Sequence, residues 1–182
     1  MTKLLRILLS IITLTSVMPL AAQRVAVSTN ALEWATGAPN LRIDTRLSRR
    51  VTFDIAMGGN PFNEIPYFKD YGLKNLHLTP SLRYWFNRPM ARHFVGLNFT
   101  AAVYNVKFKD DRYKGDLFAV GVDYGYALVL SRRWNVEFSA GIGIGKARGY
   151  EYKTYEPQPE HTNMSKWVPV PRVGVTFSYM LK

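Results

Sequence analysis

Strict alternation of apolar and polar residues constrains this chain more than any other feature. Leu41, Ile43, Thr45 and Leu47 share one parity, and Arg42, Asp44 and Arg46 take the other. The same period of two runs through residues 51–57, 76–86, 95–103, 118–130, 134–144 and 173–181. Successive side chains of a strand point to opposite faces, so runs of this kind specify half-buried strands. A weaker run over residues 24–34 completes a set of eight strands, and no segment carries a helical period.

The connections between these runs alternate in length. Three are short: residues 48–50, 87–92 and 131–133. The others, 36–40, 60–74, 107–116 and 147–166, are longer and polar. Short turns on one rim and longer loops on the other are the layout of an up-and-down antiparallel barrel. The phrase Leu-Ser-Arg-Arg fills two of the short turns, at residues 47–50 and 130–133. Each copy is followed at the same offset by a carboxylate, Asp54 or Glu137. Both arginine pairs are therefore expected on one rim, and both carboxylates at one depth inside.

Alternation alone does not say which face is inside. The polar parity carries no lysine within these runs and is rich in Gly, Ala, Ser and Thr. Small residues suit the crowded interior of a narrow barrel better than a solvated strand surface. Its charges also balance: Arg42, Arg46, Arg83 and Arg172 against Asp44, Asp54, Asp123 and Glu137. Buried charges must be paired, so these eight residues are expected to form an interior ion-pair cluster. The apolar parity then faces outward, and the fold class is an all-β, eight-stranded antiparallel transmembrane barrel. Its short turns would face the periplasm and its longer loops the exterior. A secreted soluble barrel of the lipocalin type is the alternative with the faces exchanged.

The N-terminus agrees with export. Residues 1–22 open with Lys3 and Arg6, continue with an apolar run over 7–17, and end on Ala21 and Ala22. That is the pattern of a cleaved signal peptide, too short and too hydroxyl-rich for a spanning helix. Residues 23–182 then form one barrel domain, placed in the outer membrane of a Gram-negative bacterium. Losing Lys3 and Arg6 lowers the formal charge from +11 to +9. Cysteine is absent, which excludes disulfides, thiol nucleophiles and a lipoprotein anchor.

Aromatic residues cluster where the strands end. Tyr84, Phe86, Trp134, Phe177 and Tyr179 fall at the short-turn rim, and Trp34 and Trp167 towards the other. Amphipathic rings favour membrane–water interfaces. The last run, over 172–179, places Gly174, Phe177 and Tyr179 in a pattern that resembles the signal read by barrel-assembly machinery. Pro169 and Pro171 lack ladder donors on one parity, so one seam at the outer end of this strand is expected to fray or bulge.

Three stretches carry a family resemblance: residues 28–44, Pro80 to Phe86, and His93 to Leu97. They resemble domain-of-unknown-function family 3575, small outer-membrane barrels of Bacteroidetes. The resemblance implies fold and location and no established activity. Arg42 and the absence of a cysteine pair from the last loop depart from the family pattern.

The interior of an eight-stranded barrel is filled by side chains, so an open solute channel is not expected. The reading is a non-catalytic surface, scaffold or binding protein. Its last loop offers Tyr150, Tyr152, Lys153 and Tyr155 to a surface protein or glycan partner. The other partners are outer-membrane lipids and, during biogenesis, the assembly machinery. Arg49, Arg50, Arg132 and Arg133 form a basic periplasmic rim suited to inner-leaflet phosphates. No basic helix is present for nucleic acid, and no metal or cofactor is expected from residue spacing. The competing class is an enzyme that acylates or deacylates lipopolysaccharide. Its base would be His77, but Ser81 lies about 13 Å away along the same strand.

Overall fold

The structure is a computed structural model and describes residues 25–62 and 71–181. The expected signal peptide, residues 1–22, lies outside the described residues. Eight strands follow in order: β1 (Val25–Asn30), β2 (Asn40–Arg46), β3 (Val51–Asn60), β4 (Tyr71–Trp85), β5 (Arg92–Phe108), β6 (Asp111–Val129), β7 (Trp134–Lys153) and β8 (Met164–Met180). Each pairs antiparallel with the next, and β1 pairs with β8, so the sheet closes into a ring. A helix, α1 (Ala31–Ala35), interrupts the first weak run. Asn30 ends β1 and caps α1, its side chain accepting from the Leu32 N–H.

The two Leu-Ser-Arg-Arg turns are the same structure used twice. Leu47 and Ser48 donate to the Val51 carbonyl, and Leu130 and Ser131 donate to the Trp134 carbonyl. Arg50 Nη1 donates to Tyr84 Oη at 3.1 Å, and Arg133 Nη1 to Tyr179 Oη at 3.0 Å. Both arginine pairs therefore stand exposed on the short-turn rim.

The opposite rim differs from the sequence reading. Strand pairing continues into parts of the expected loops, and β5 and β6 are joined by Lys109 and Asp110 alone. Likewise β7 runs to Lys153, which places Tyr150, Tyr152 and Lys153 on a strand and leaves only Tyr155 in the loop. Strand length rises from 6 residues in β1 to 20 in β7. The ring is thus cut obliquely, high along β5–β8 and low along β1–β3.

This obliquity accounts for Pro169 and Pro171. The β7–β8 register runs unbroken from Met164 to Tyr179, so that seam neither frays nor bulges, while the seam towards β1, which the prolines face, is open at its outer end. Odd-numbered N–H groups of β8 point towards β1: Leu181 donates to Val25 and Val175 to the Asn30 side chain. Strand β1 ends opposite Thr176. Outward of that point, the side of β8 that would face β1 has no strand partner among the described residues. The prolines sit where no ladder bond is available to lose.

The outer face is apolar. Leu76, Phe118, Val122, Ile142 and Val173 are each more than half exposed, with Val173 at 68%. The buried positions are mostly polar: Thr52, Asp54, Thr79, Ser81, Asn98 and Glu137 are all 3% exposed or less.

Candidate functional site: the interior of the ring

The interior is stacked in layers. At the short-turn end Trp85, Phe94, Met90, Ala26 and Ala127 pack together, with Met180 against them. Trp85 Nε1 donates to Thr52 Oγ1, which satisfies the buried indole. Gly125 makes room for this plug, since a Cβ there would stand 2.4 Å from the Phe94 ring. Met90 takes φ 62° in the β4–β5 turn, and its carbonyl accepts from the Asn135 amide. The sequence reading did not anticipate this plug. Its signal was two large aromatics, Trp85 and Phe94, on the parity otherwise reserved for small and polar residues.

Above the plug lies the charged layer. Arg42 grips Glu137 bidentately at 3.0 and 3.2 Å and pairs with Asp44 through Nε at 3.0 Å. Arg83 Nη1 donates to both oxygens of Glu137, at 3.1 and 3.2 Å. Its Nε stands 2.9 Å from Asp54 Oδ2, at an angle that makes this an ion pair rather than a hydrogen bond. Asp44 adds a longer contact to Arg83 at 3.7 Å and accepts from Ser28 at 2.8 Å. The Arg83 guanidinium also lies over the Phe94 ring at 4.9 Å, which ties this layer to the plug. Arg42 is on β2, Arg83 on β4 and Glu137 on β7, so these bonds cross the interior from one side of the ring to the other. Asp54 and Glu137, one from each Leu-Ser-Arg-Arg repeat, meet at the same arginine.

Arg46 lies apart from this cluster. Its Nε donates to the Ser48 carbonyl at the short-turn rim, too close to the strand end to reach the charged layer. The second interior group is Arg172, Asp123 and Asn98. Arg172 Nε is 3.6 Å from Asp123, Asn98 donates to Asp123 at 2.8 Å, and Arg172 Nη1 donates to Thr100 at 3.0 Å. Three arginines thus face four carboxylates rather than four facing four.

Above these groups the interior opens as a cup of about 410 Å³. Glu33 of α1 and His77 of β4 meet there, with Glu33 Oε2 3.6 Å from His77 Nε2. Asn30 donates to Glu33 Oε1 at 3.0 Å, and Oε2 accepts no hydrogen bond among the described residues. Gly58 clears the space, since a Cβ there would meet both side chains at about 3 Å. A histidine beside a carboxylate is half of a nucleophilic apparatus. Among the described residues no hydroxyl bonds to His77, while Thr79 and Thr100 bond to each other at 3.1 Å. No metal-ligand cluster occurs among the described residues.

The high wall of β5–β8 carries the remaining polar groups. Lys153 donates to Asp111 at 2.6 Å and Lys166 to Glu151 at 2.7 Å. These hydrogen bonds hold both ammonium groups above the usual lysine pKa. Tyr155 is 76% exposed at the tip. Gly174, Phe177 and Tyr179 lie on β8, with the Tyr179 ring edge-on to Trp134. Trp34, expected towards the outer rim, is lower: its indole donates to Thr29, which pairs with Phe177.

No curated protein and no solved structure matches the chain. The family described as "protein of unknown function (DUF3575)" matches residues 6–181. With nearly its whole length covered, this chain belongs to that family.

Proposed function

We propose that the chain is an outer-membrane β-barrel that spans the bilayer with its eight strands and presents the high β5–β8 wall outside as a binding or scaffold surface. The carrying observation is the inversion of burial: the apolar parity is exposed while the charged and hydroxyl parity is buried. In water this arrangement would be strongly unfavourable, and in hydrocarbon it is the ordinary solution. Lys146, over the Trp167 ring at 5.8 Å, suits the outer edge of the belt, where a long cationic side chain reaches the headgroups. Tyr84 and Tyr179, bonded to Arg50 and Arg133, suit the inner edge.

Export by the signal peptide and insertion by assembly machinery belong to this reading. The barrel conducts no solute, because the plug and the cross-lumen ion pairs fill it. A non-catalytic role belongs to this reading, with His77 taken as the interior partner of Glu33 at 3.6 Å. A surface protein or glycan partner meets the wall through Tyr150, Tyr152, Lys153 and Tyr155. The test is refolding into phosphatidylcholine vesicles loaded with a small dye. The expected result is a heat-modifiable folded band with dye retained. Failure to enter vesicles would remove the membrane reading, and dye release would remove the closed interior.

A further inference from the structure

We infer that the outer face of β4–β8, just beyond the apolar belt, is a docking site for a phosphorylated lipid of the outer leaflet. This rests on the reading that the belt faces lipid. Directly opposed residues of an antiparallel pair share a face, so the register sets out this face in rows. Phe99, Val120, Ile144 and Pro169 form a wholly apolar row. The next row outward is Leu78, Ala101, Phe118, Lys146 and Trp167. Beyond it come Leu76, Val103, Asp116 and Arg148, then Lys74, Asn105, Lys114 and Tyr150, with Lys107 and Arg112 after them. Leu76, Val103 and Phe118 are 61%, 55% and 63% exposed, which marks these rows as outward.

The face thus turns from apolar to cationic within a few residues of each strand. Lys74, Lys107, Arg112, Lys114, Lys146 and Arg148 share it with one carboxylate, Asp116, among the described residues. The other acids of the wall lie elsewhere. Asp111 and Glu151 have the inward parity and are held by Lys153 and Lys166. Asp110, Glu156 and Glu160 lie in the turns at the tip, with Lys109 beside them. Lys74, Lys146 and Arg148 form no ion pair among the described residues, and Lys114 donates to the neutral Gln158 at 3.0 Å. Their charge is therefore open to an anion.

A groove of about 460 Å³ lies on the same face, walled by Phe99, Phe118 and Ile144. Ala101 is the smallest outward side chain in it, and Lys146 and Trp167 stand at its outer end. Lys146 belongs both to the groove and to the cationic rows. A soluble polyanion leaves the groove unused, and an uncharged lipid leaves the cations unused. A single molecule with a phosphate above an acyl chain engages both. Arg148 can fork onto two phosphate oxygens, while Lys146 and Lys114 add point charges. Beside the low-dielectric belt these attractions are stronger than in open water.

The experiment uses the full chain in phosphatidylcholine nanodiscs with an acylated, phosphorylated disaccharide as probe. The controls are the same lipid without phosphate and the soluble phosphorylated disaccharide without acyl chains. Native mass spectrometry measures retention, and amide NMR shifts locate the site. The expected result is retention of the phosphorylated lipid above both controls, with shifts at Ala101 and Arg148. Lys146→Gln with Arg148→Gln should weaken binding by about tenfold or more. Ala101→Phe, which fills the groove and leaves every charge in place, should also weaken it, and Asp116→Asn should tighten it. Equal retention of the two lipids, a soluble head that binds as tightly as the lipid, or binding indifferent to the charge or the groove variant overturns the inference. Should the double variant misfold, Asp116→Asn and Ala101→Phe carry the test and must shift binding in opposite directions. Failure of the protein to co-elute with the discs overturns the membrane reading and this inference together. Integration without phosphate preference overturns this inference alone.

Discussion

Arg83→Met is the substitution that tests the closed interior most severely. Arg83 is the hub of the charged layer, within 3.7 Å of Asp44, Asp54 and Glu137. Its side chain is 7% exposed and that of Asp54 only 1%. Methionine keeps the stem volume, so packing loss is small. What changes is charge: Arg42 alone would face three carboxylates, and Asp54 would lose the only ion pair described for it. Breaking a buried pair by removing one partner costs about 3–5 kcal/mol. At about 1.4 kcal/mol per tenfold, that is roughly a 150- to 4000-fold fall in the folding equilibrium constant. The assay is reversible urea unfolding in vesicles or micelles, followed by tryptophan fluorescence. An added Asp54→Asn should recover about 1–3 kcal/mol in the Arg83→Met background, because it removes the orphaned charge. A loss below about 1 kcal/mol, or an Asp54→Asn effect identical in both backgrounds, would refute the reasoning.

Three further outcomes are expected. Val122→Arg, in the middle of the outward face of β6, should cost about 2–4 kcal/mol in vesicles, measured by the same urea titration. Gly125→Ala should destabilise by about 1–3 kcal/mol through overpacking against Phe94, and Phe94→Leu in the same chain should relieve part of that loss. Lys153 should titrate above the ordinary lysine value by side-chain NMR, and Asp111→Asn should return it there. Because that folded-state pKa is raised, the contact stabilises the hairpin below the unfolded lysine pKa. Its contribution disappears as pH rises through the folded value.

The ring was legible in the sequence because both environments it meets are uniform along the strands. An apolar exterior and a small polar interior impose a period of two on Phe118–Leu130 as firmly as on Leu41–Leu47. Above the belt that cause vanishes. Both faces of Tyr113, Lys114, Glu151 and Lys153 are bounded by polar surroundings, so paired strand there reads as loop. Helix α1 has five residues, too few to display a helical period beside Asn30 and Gly37. Parity also gives a side chain's face but not its depth. Arg42 and Arg46 share a parity, yet only Arg42 lies deep enough to meet Glu137. The meeting of Glu33 with His77 depends on α1 folding over the low rim, which no local pattern records.

The central claim, that the exposed parity faces lipid, is open to one direct measurement. The chain has no cysteine, so single cysteines can be placed without a background thiol. Nitroxides at successive positions from 118 to 125, in vesicles, report collision with oxygen from the bilayer or with a nickel chelate from water. Positions 118, 120, 122 and 124 should show high oxygen and negligible nickel accessibility, and 119, the inward position whose own residue already carries a side chain, should show little of either. High nickel accessibility at 118, 120, 122 and 124 would place that face in water and contradict the account.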